Sequence, residues 1–438
     1  MRCLLVALSI LLAGSAVTAA DDAAPVPAAT DIAVIETGWQ GTVVARLDQS
    51  YAGWDVEIGD ADNDGKNEIL TTGCPDSRLY LFKNEATQWK TVLLADNLAQ
   101  DKPAMGLAVR VADLNGDGKN EVLLGTGQEK GGTAWFHVLS TDGKTLTNRL
   151  SCRPECNKSS FTHDFAIYDL NHDGLKEVVA AYCGGGEIIR YDVNRSLTAI
   201  SARKIHQLSG SGEESIIADV DNDGRLEYLT ANGFRRGKAR VEIFDFDDKG
   251  ELAPEPRIAM VGYEGNGCFY ASFIVGDVNN DGKNELVVGW KKEQKVNLST
   301  LVAYSVDKTD ATPIAWLERD TPDLDMGYFE KMMAVADADN DGKNELVITT
   351  RGDNVSEFIT SEHLGRAYMY SVGTDGKSAR ETLSDFREEH AESSWLTVGD
   401  ADNDGMNEVV LATGKGDRTK PGISYVVLLE KLGGVPHK

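Results

Sequence analysis

Positive charge is what this chain most lacks. Its 44 Lys and Arg stand against 70 Asp and Glu, a formal net charge of -26. Phosphate recognition needs clustered basic side chains, so nucleic acids and anionic membrane surfaces are excluded as partners, and metal cations become the natural counter-charge. Long apolar runs are nearly missing too. One run occupies the start, MRCLLVALSILLAGSAVTAA, where an Arg precedes an apolar stretch that closes on small residues, the pattern of a secretory signal peptide over residues 1–20. No later stretch approaches the ~20 apolar residues of a membrane span, so the expected product is secreted, whether to periplasm, cell surface or medium. Cysteine is sparse, with Cys74, Cys152, Cys156, Cys183 and Cys268 beyond the leader. A disulfide pinning the SCRPECNKSS segment to YCGGG is expected, with a Cys3His metal site around His163 as the alternative. Also absent are G-x-S-x-G, H-E-x-x-H and the P-loop, which leaves familiar hydrolase, zinc-protease and nucleotide chemistries without support.

What the chain has in abundance is one acidic phrase. DADNDGKNE runs from Asp60 and again from Asp337, and the pattern D-x-[DN]-x-D-G-x-x-E occurs seven times, starting at Asp60, Asp113, Asp169, Asp219, Asp277, Asp337 and Asp400. Successive starts lie 50 to 63 residues apart, the mark of an array of equal units. Before each copy stands a short apolar run such as DVEIGD or FIVGD, and after it another such as EILTTG or ELVVGW, with a third and fourth before the next copy. Runs this short, β-branched and bounded by turn residues predict strands. Four strands per unit and seven units give an all-β, seven-bladed β-propeller over residues 31–432. Only two strands fit after the seventh copy, while GTVVARLD (41–48) stands ahead of the first. Pairing that N-terminal strand with the C-terminal blade would close the ring and leave no free edge. Residues 21–30 read as a flexible lead-in and 433–438 as a tail.

The spacing has a chemical reason. A hard cation such as Ca²⁺ takes six to eight oxygens, and side chains at alternate positions 1, 3 and 5 of a loop point inward, with Gly at 6 for the turn, the carbonyl of 7 and a closing Glu at 9. The expected ligands are Asp60, Asp62, Asp64, Lys66 and Glu68 in the first loop, and Asp113, Asn115, Asp117, Lys119 and Glu121 in the second. They are Asp169, Asn171, Asp173, Leu175 and Glu177 in the third, and Asp219, Asp221, Asp223, Arg225 and Glu227 in the fourth. Asp277, Asn279, Asp281, Lys283 and Glu285 form the fifth, Asp337, Asp339, Asp341, Lys343 and Glu345 the sixth, and Asp400, Asp402, Asp404, Met406 and Glu408 the seventh. These loops hold 25 side-chain carboxylates, which repel one another if empty, so up to seven Ca²⁺ ions are expected and stability should depend on them.

The in-frame copies, six of the seven preceded by a strand ending in Gly-Asp or Ala-Asp, resemble FG-GAP/VCBS repeat proteins, the group that includes the calcium-loop propeller of integrin α chains. The resemblance implies calcium loops between the first and second strands of each blade, on the face opposite the one that usually binds ligands.

On that opposite face the sequence places Trp54, Asp55, His163, Asp164, Glu213, Glu214, Phe269, Tyr270, Tyr328, Lys331 and Trp395, with basic residues including Arg235, Arg236 and Arg351. Rings beside mixed charges suit a carbohydrate. The expectation is a monomeric calcium-binding module for a glycan or protein ligand. A polysaccharide lyase of uronate-containing glycans is the alternative, with His163 as base, Tyr270 or Tyr328 as acid and Arg235 or Arg236 neutralising the carboxylate. A structural cell-surface scaffold is the third reading.

Overall fold

In the computed structural model, residues 26–433 are described except 49–50, 75–76, 86–87, 96–97, 99–104, 128–133, 155–160, 233–238, 263–267, 293–297, 325–330, 351–364, 387–391 and 416–422. Blade 1 is the antiparallel meander Tyr51–Gly59, Glu68–Cys74, Arg78–Glu85 and Gln88–Ala95. The same order recurs behind the inner strands Met105–Ala112, Ala166–Tyr168, Gly212–Ala218, Tyr270–Gly276, Met333–Ala336 and Glu392–Gly399 of blades 2 to 7. Blade 7 takes its outermost strand from the other end of the chain, Trp39–Asp48, which pairs with Ile423–Lys431 in a register running from Trp39 opposite Lys431 to Asp48 opposite Ile423. A one-turn helix, Ala29–Ile32, and the strand Ala33–Ile35 lie across the outer edge of blade 6, with Ala29, Ile32 and Ala33 buried. Ala29 and Thr30, at the end of the expected lead-in, thus belong to this helix. Among the described residues no helix is long and apolar enough to cross a membrane.

The core is a ring of layers, because a blade is a sheet with both faces covered by its neighbours. The second strands Glu121–Gly127, Glu177–Cys183 and Glu285–Lys291 are buried at every position, which is why they read as unbroken apolar runs. The outer strands alternate, as in Leu146–Cys152. Seven apolar clusters fill the seven junctions; that between blades 7 and 1 includes Val56, Ile69, Phe82, Val410 and Val426. The inner strands crowd at the axis. A Cβ on Gly59 would stand 2.9 Å from the Val111 Cβ of the next blade, and one on Gly276 2.9 Å from the Val335 Cβ, so at these two seams the residue before the acidic phrase must stay small.

The acidic loops also hold the ring together. Asn67 of blade 1 donates its backbone N–H to Asn403 Oδ1 of blade 7 (2.7 Å) and its side-chain amide to the Asp400 carbonyl (2.8 Å), while Asn403 Nδ2 donates back to the Asn67 carbonyl (3.0 Å). Position 4 of one loop and position 8 of the next make the same three-bond clasp between Asn63 and Asn120, and between Asn222 and Asn284. It recurs between Asn280 and Asn344, and between Asn340 and Asn407. Position 4 has φ of 59–69° in these loops, a conformation that Asn tolerates better than most residues. The two junctions flanking blade 3 lack both asparagines, having Gly116 with Lys176 and His172 with Leu226. At Gly116 a Cβ would stand 2.6 Å from the Gly174 carbonyl oxygen, so the second and third loops are too close for the amide.

Candidate functional site

Each inner strand runs from the mouth of the central channel to an acidic loop, so the two ends of the propeller carry different chemistry. At the loop end the backbone shapes the carboxylates. Asp60 accepts the N–H groups of Asp64 and Gly65, both at 3.0 Å, Asp64 accepts that of Lys66, and Glu68 Oε2 accepts that of Ala61 at 3.0 Å. The seventh loop repeats this with Asp404, Gly405, Met406 and Ala401. Glu at position 9 is thereby held with one oxygen bonded and the other facing the loop centre. The Asp60–Asp62–Glu68, Asp219–Asp221–Glu227, Asp337–Asp339–Glu345 and Asp400–Asp402–Asp404 sets each bring three carboxylate oxygens within 4.8 Å of one another. Asp62 Oδ1, Glu68 Oε1, Asp339 Oδ1 and Glu408 Oε1 are buried and accept no hydrogen bond. Burial, reinforced by the neighbouring Asp carboxylates, pushes Glu68, Glu121, Glu227, Glu285 and Glu345 up to about 7 and Glu408 up to about 8. Converging oxygens with unmet acceptor capacity and costly negative charge fit a hard cation.

The loops with Asn at position 3 differ. Asn171 and Asn279 donate their amides to Glu177 Oε1 (2.9 Å) and Glu285 Oε1 (3.0 Å), and Asn115 donates to Asp117 (3.1 Å) and to the Arg195 carbonyl (2.9 Å). Among the described residues, the first, third and fourth loops have a cation of the chain itself paired with their carboxylates. Lys83 pairs with Asp62, with Asp64 at 2.9 Å and with Glu68 at 3.4 Å. Arg190 lies 3.0 Å from Glu177, and Arg257 3.2 Å from Asp221.

At the channel mouth the inner strands of blades 1, 2, 4 and 7 bulge, and the bulges turn polar side chains into the inter-blade seams. Asp55, Asp164 and Glu214 occupy equivalent positions of blades 1, 3 and 4. Each accepts a backbone N–H from the next blade, of Val109 (3.1 Å), Ser215 (3.2 Å) and Phe273 (2.7 Å) respectively. Arg110 of blade 2 joins Asp55 to Asp164, and Lys331 of blade 6 donates to Glu57 at 2.5 Å, which completes a charged girdle around much of the inner rim. Burial raises Asp55 to about 6 against the opposing pull of Arg110, and raises Glu214 well above the carboxylate range. Arg110 was not singled out from the sequence, because one basic residue inside LAVRVAD reads as an outward side chain of a strand; only its bulged register brings it between two acids.

His163 and Tyr270, named as base and acid, are both buried, His163 against the Phe161 ring (centroids 5.6 Å apart) and Tyr270 edge-on to Phe269 (4.6 Å). Tyr328, Arg235, Arg236 and Arg351 lie outside the described residues, as does Cys156, and the side chains of Trp54 and Cys74 are likewise undescribed. No disulfide joins Cys152, Cys183 and Cys268 among the described residues. His163 instead meets Cys183 and Glu213, with donor atoms within 4.8 Å of one another.

Three stretches of the chain, residues 60–124, 169–230 and 219–288, match the FG-GAP-like repeat. No curated protein matches the sequence. Among solved structures the chain is similar to a provisionally assigned 6-phosphogluconolactonase from Bacteroides uniformis, at 12% identity and a TM-score of 0.49, over 75% of this chain and 84% of that one. It is also similar to the rhamnogalacturonan lyase PL11 of Bacillus licheniformis, at 12% identity and a TM-score of 0.40, over 88% and 91%. Likenesses at this level carry no argument about activity.

Proposed function

Starting from a chain that is a seven-bladed propeller of FG-GAP-like repeats, we propose that it is an exported, calcium-stabilised binding module that engages a glycan or protein ligand at the channel mouth. The observation that supports this reading is the loop geometry: three carboxylate oxygens converge within 4.8 Å in the Asp337–Asp339–Glu345 and Asp400–Asp402–Asp404 sets, and Asp339 Oδ1 and Glu408 Oε1 are buried there without accepting a hydrogen bond. Calcium supplies charge there, drawing on positions 1, 3, 5 and 9 and the carbonyl of position 7. In the second, third and fifth loops Asn115, Asn171 and Asn279 would hold the ion through their amide oxygens, which would require them to give up the amide bonds they now donate to neighbouring carboxylates. With the loops filled, the blades are locked at one end and the mouth is left to vary.

The mouth suits recognition better than turnover. Its girdle of Glu57, Arg110, Asp164 and Lys331 offers both signs of charge at the inner rim, whereas the buried His163 and Tyr270 have little access to a polymer's proton. The test uses purified protein, first stripped with chelator and then reloaded with calcium, on immobilised acidic and neutral glycans. Calcium-dependent retention without the absorbance of unsaturated uronate is the expected result. Growth of that absorbance would replace the binding module with a lyase, and failure of metal analysis to find calcium would remove the reading altogether.

A further inference from the structure

The geometry points to a second kind of metal site, a zinc site built by His163, Cys183 and Glu213 at the seam of blades 3 and 4. The three side chains are 4%, 7% and 4% exposed, and their donor atoms lie within 4.8 Å of one another. Around a tetrahedral zinc ion, with Zn–S near 2.3 Å and Zn–N near 2.0 Å, neighbouring donors stand roughly 3.3–3.8 Å apart, so small side-chain rotations complete the set.

Three separate segments bring these residues together. His163 follows Phe161–Thr162, a two-residue strand bonded between the second strands of blades 2 and 3. Cys183 ends the second strand of blade 3, paired with Phe161. Glu213 lies in the bulge that breaks the register of the blade 4 inner strand between Gly212 and Ser215. The site is at the opposite end of that strand from the acidic loop that starts at Asp219.

An independent contact bears on the state of the sulfur. Ser211 Oγ accepts the Gly184 N–H at 2.8 Å and donates its own proton to Cys183 Sγ at 3.3 Å. A hydroxyl held to donate to sulfur favours the thiolate, which is the form that ligates metal. Phe161 stacked on His163 at 20° fixes the plane of the imidazole. Neutral His, thiolate and carboxylate carry two negative charges in a buried place, and one divalent ion cancels them. The donor set selects the metal: nitrogen and sulfur suit zinc and disfavour calcium, and three protein donors leave a fourth position for water or a ligand group.

The experiment is run on the full chain in saturating calcium, so that the acidic loops are occupied and bound zinc reports this site alone. One zinc per chain is expected, resistant to dialysis against calcium. Cobalt in its place should give a thiolate-to-metal charge-transfer band with the intense visible bands of a tetrahedral ion, a readout on the unaltered protein that depends on no variant folding. Cys183→Ser should abolish the charge-transfer band and the bound zinc while leaving the calcium-dependent melting temperature in place. Ser211→Ala should weaken zinc binding by about tenfold, as loss of an outer-shell partner does. Absence of the cobalt band in the unaltered protein, zinc retained undiminished by Cys183→Ser, or Cys183 recovered in a disulfide by mass spectrometry would each overturn the site. None of these outcomes bears on calcium in the acidic loops, which chelation and melting test separately.

Discussion

The first and seventh acidic loops are neighbours in the ring, are joined by the Asn67–Asn403 clasp, and differ in sequence only at Lys66 and Met406. Their surroundings are opposite in sign. Ile69 pairs with Phe82, which sets Lys83 beside Glu68, and its ammonium enters the cluster of Asp62, Asp64 and Glu68. Val409 pairs with Leu429, which sets Glu430 beside Glu408; burial and then Asp402 and Asp404 raise Glu430, so the third strand adds an acid where blade 1 adds a base. Among the described residues no Lys or Arg pairs with Asp402, Asp404 or Glu408. The same phrase, one letter apart, is therefore neutralised from within in one blade and left without a cation of the described chain in the next. The charge balance of such a loop is set by the strand facing it as much as by its own letters.

Removing calcium should have the largest effect on the protein and should fall unevenly on this pair. An ion present at a hundredfold above its dissociation constant stabilises a folded site by about 2.7 kcal/mol, and several sites add. Chelation should therefore lower the melting temperature by many degrees, and hydrogen exchange should loosen blade 7 before blade 1. Equal loosening of both would erase the distinction.

Exchanging the facing charge comes next. Lys83→Met strands Asp62 and Glu68, whose side chains are 4% and 1% exposed, and should cost about 3 kcal/mol in calcium-free buffer, the scale for a buried pair that loses one partner. Calcium should restore most of that loss, since the ion no longer competes with an ammonium; denaturant melts with and without calcium measure both.

Acidity tests the same contrast. For the raised glutamates the folded state binds protons more tightly than the unfolded chain, so their contribution to stability is full below about pH 4.5 and is lost as pH rises through 7, and through 8 at Glu408. Calcium-free protein should therefore lose stability from pH 5 to pH 8, the reverse of ordinary acid denaturation, while calcium binding strengthens over the same range and releases protons measurable by calorimetry in buffers of different ionisation enthalpy.

A smaller effect belongs to the clasp. Asn403→Ala removes two side-chain bonds and places Ala at φ 69°, for a cost of about 2 kcal/mol, of which Asn403→Gly should recover the backbone share. Glu430→Gln should move least, a few tenths of a kcal/mol of gain without calcium, together with weaker calcium binding in loop 7.

The architecture was legible because its signal is repeated in frame. Seven copies of one phrase between paired apolar runs fix blade number, strand order and the place of the loops. The clasp was equally present in the letters, since Asn at position 4 of one loop and at position 8 of the next occur or fail together, but it links residues 57 to 336 positions apart and becomes visible only once loops are known to be neighbours. The charged girdle was less legible, because a bulge changes which side chains reach the axis and bulges leave no consistent mark in these strands. Cys183 and His163 stood out by type, yet the grouping of Cys152, Cys156 and Cys183 argued for a disulfide, and Glu213, placed on the same face as His163, gave no sign of meeting it until the bulge after Gly212 was known.

The strand Trp39–Asp48 has a consequence in time. It is among the earliest parts of the described chain to be made, and it must wait unpaired until Ile423–Lys431, nearly the whole length of the protein later, exists to receive it. Six blades can form from nearby sequence as synthesis proceeds, but the seventh requires the most distant pairing in the molecule, a slow kind of event. Until it happens the growing chain is an open arc with two sticky rims, and the moment of greatest vulnerability falls just before the circle shuts.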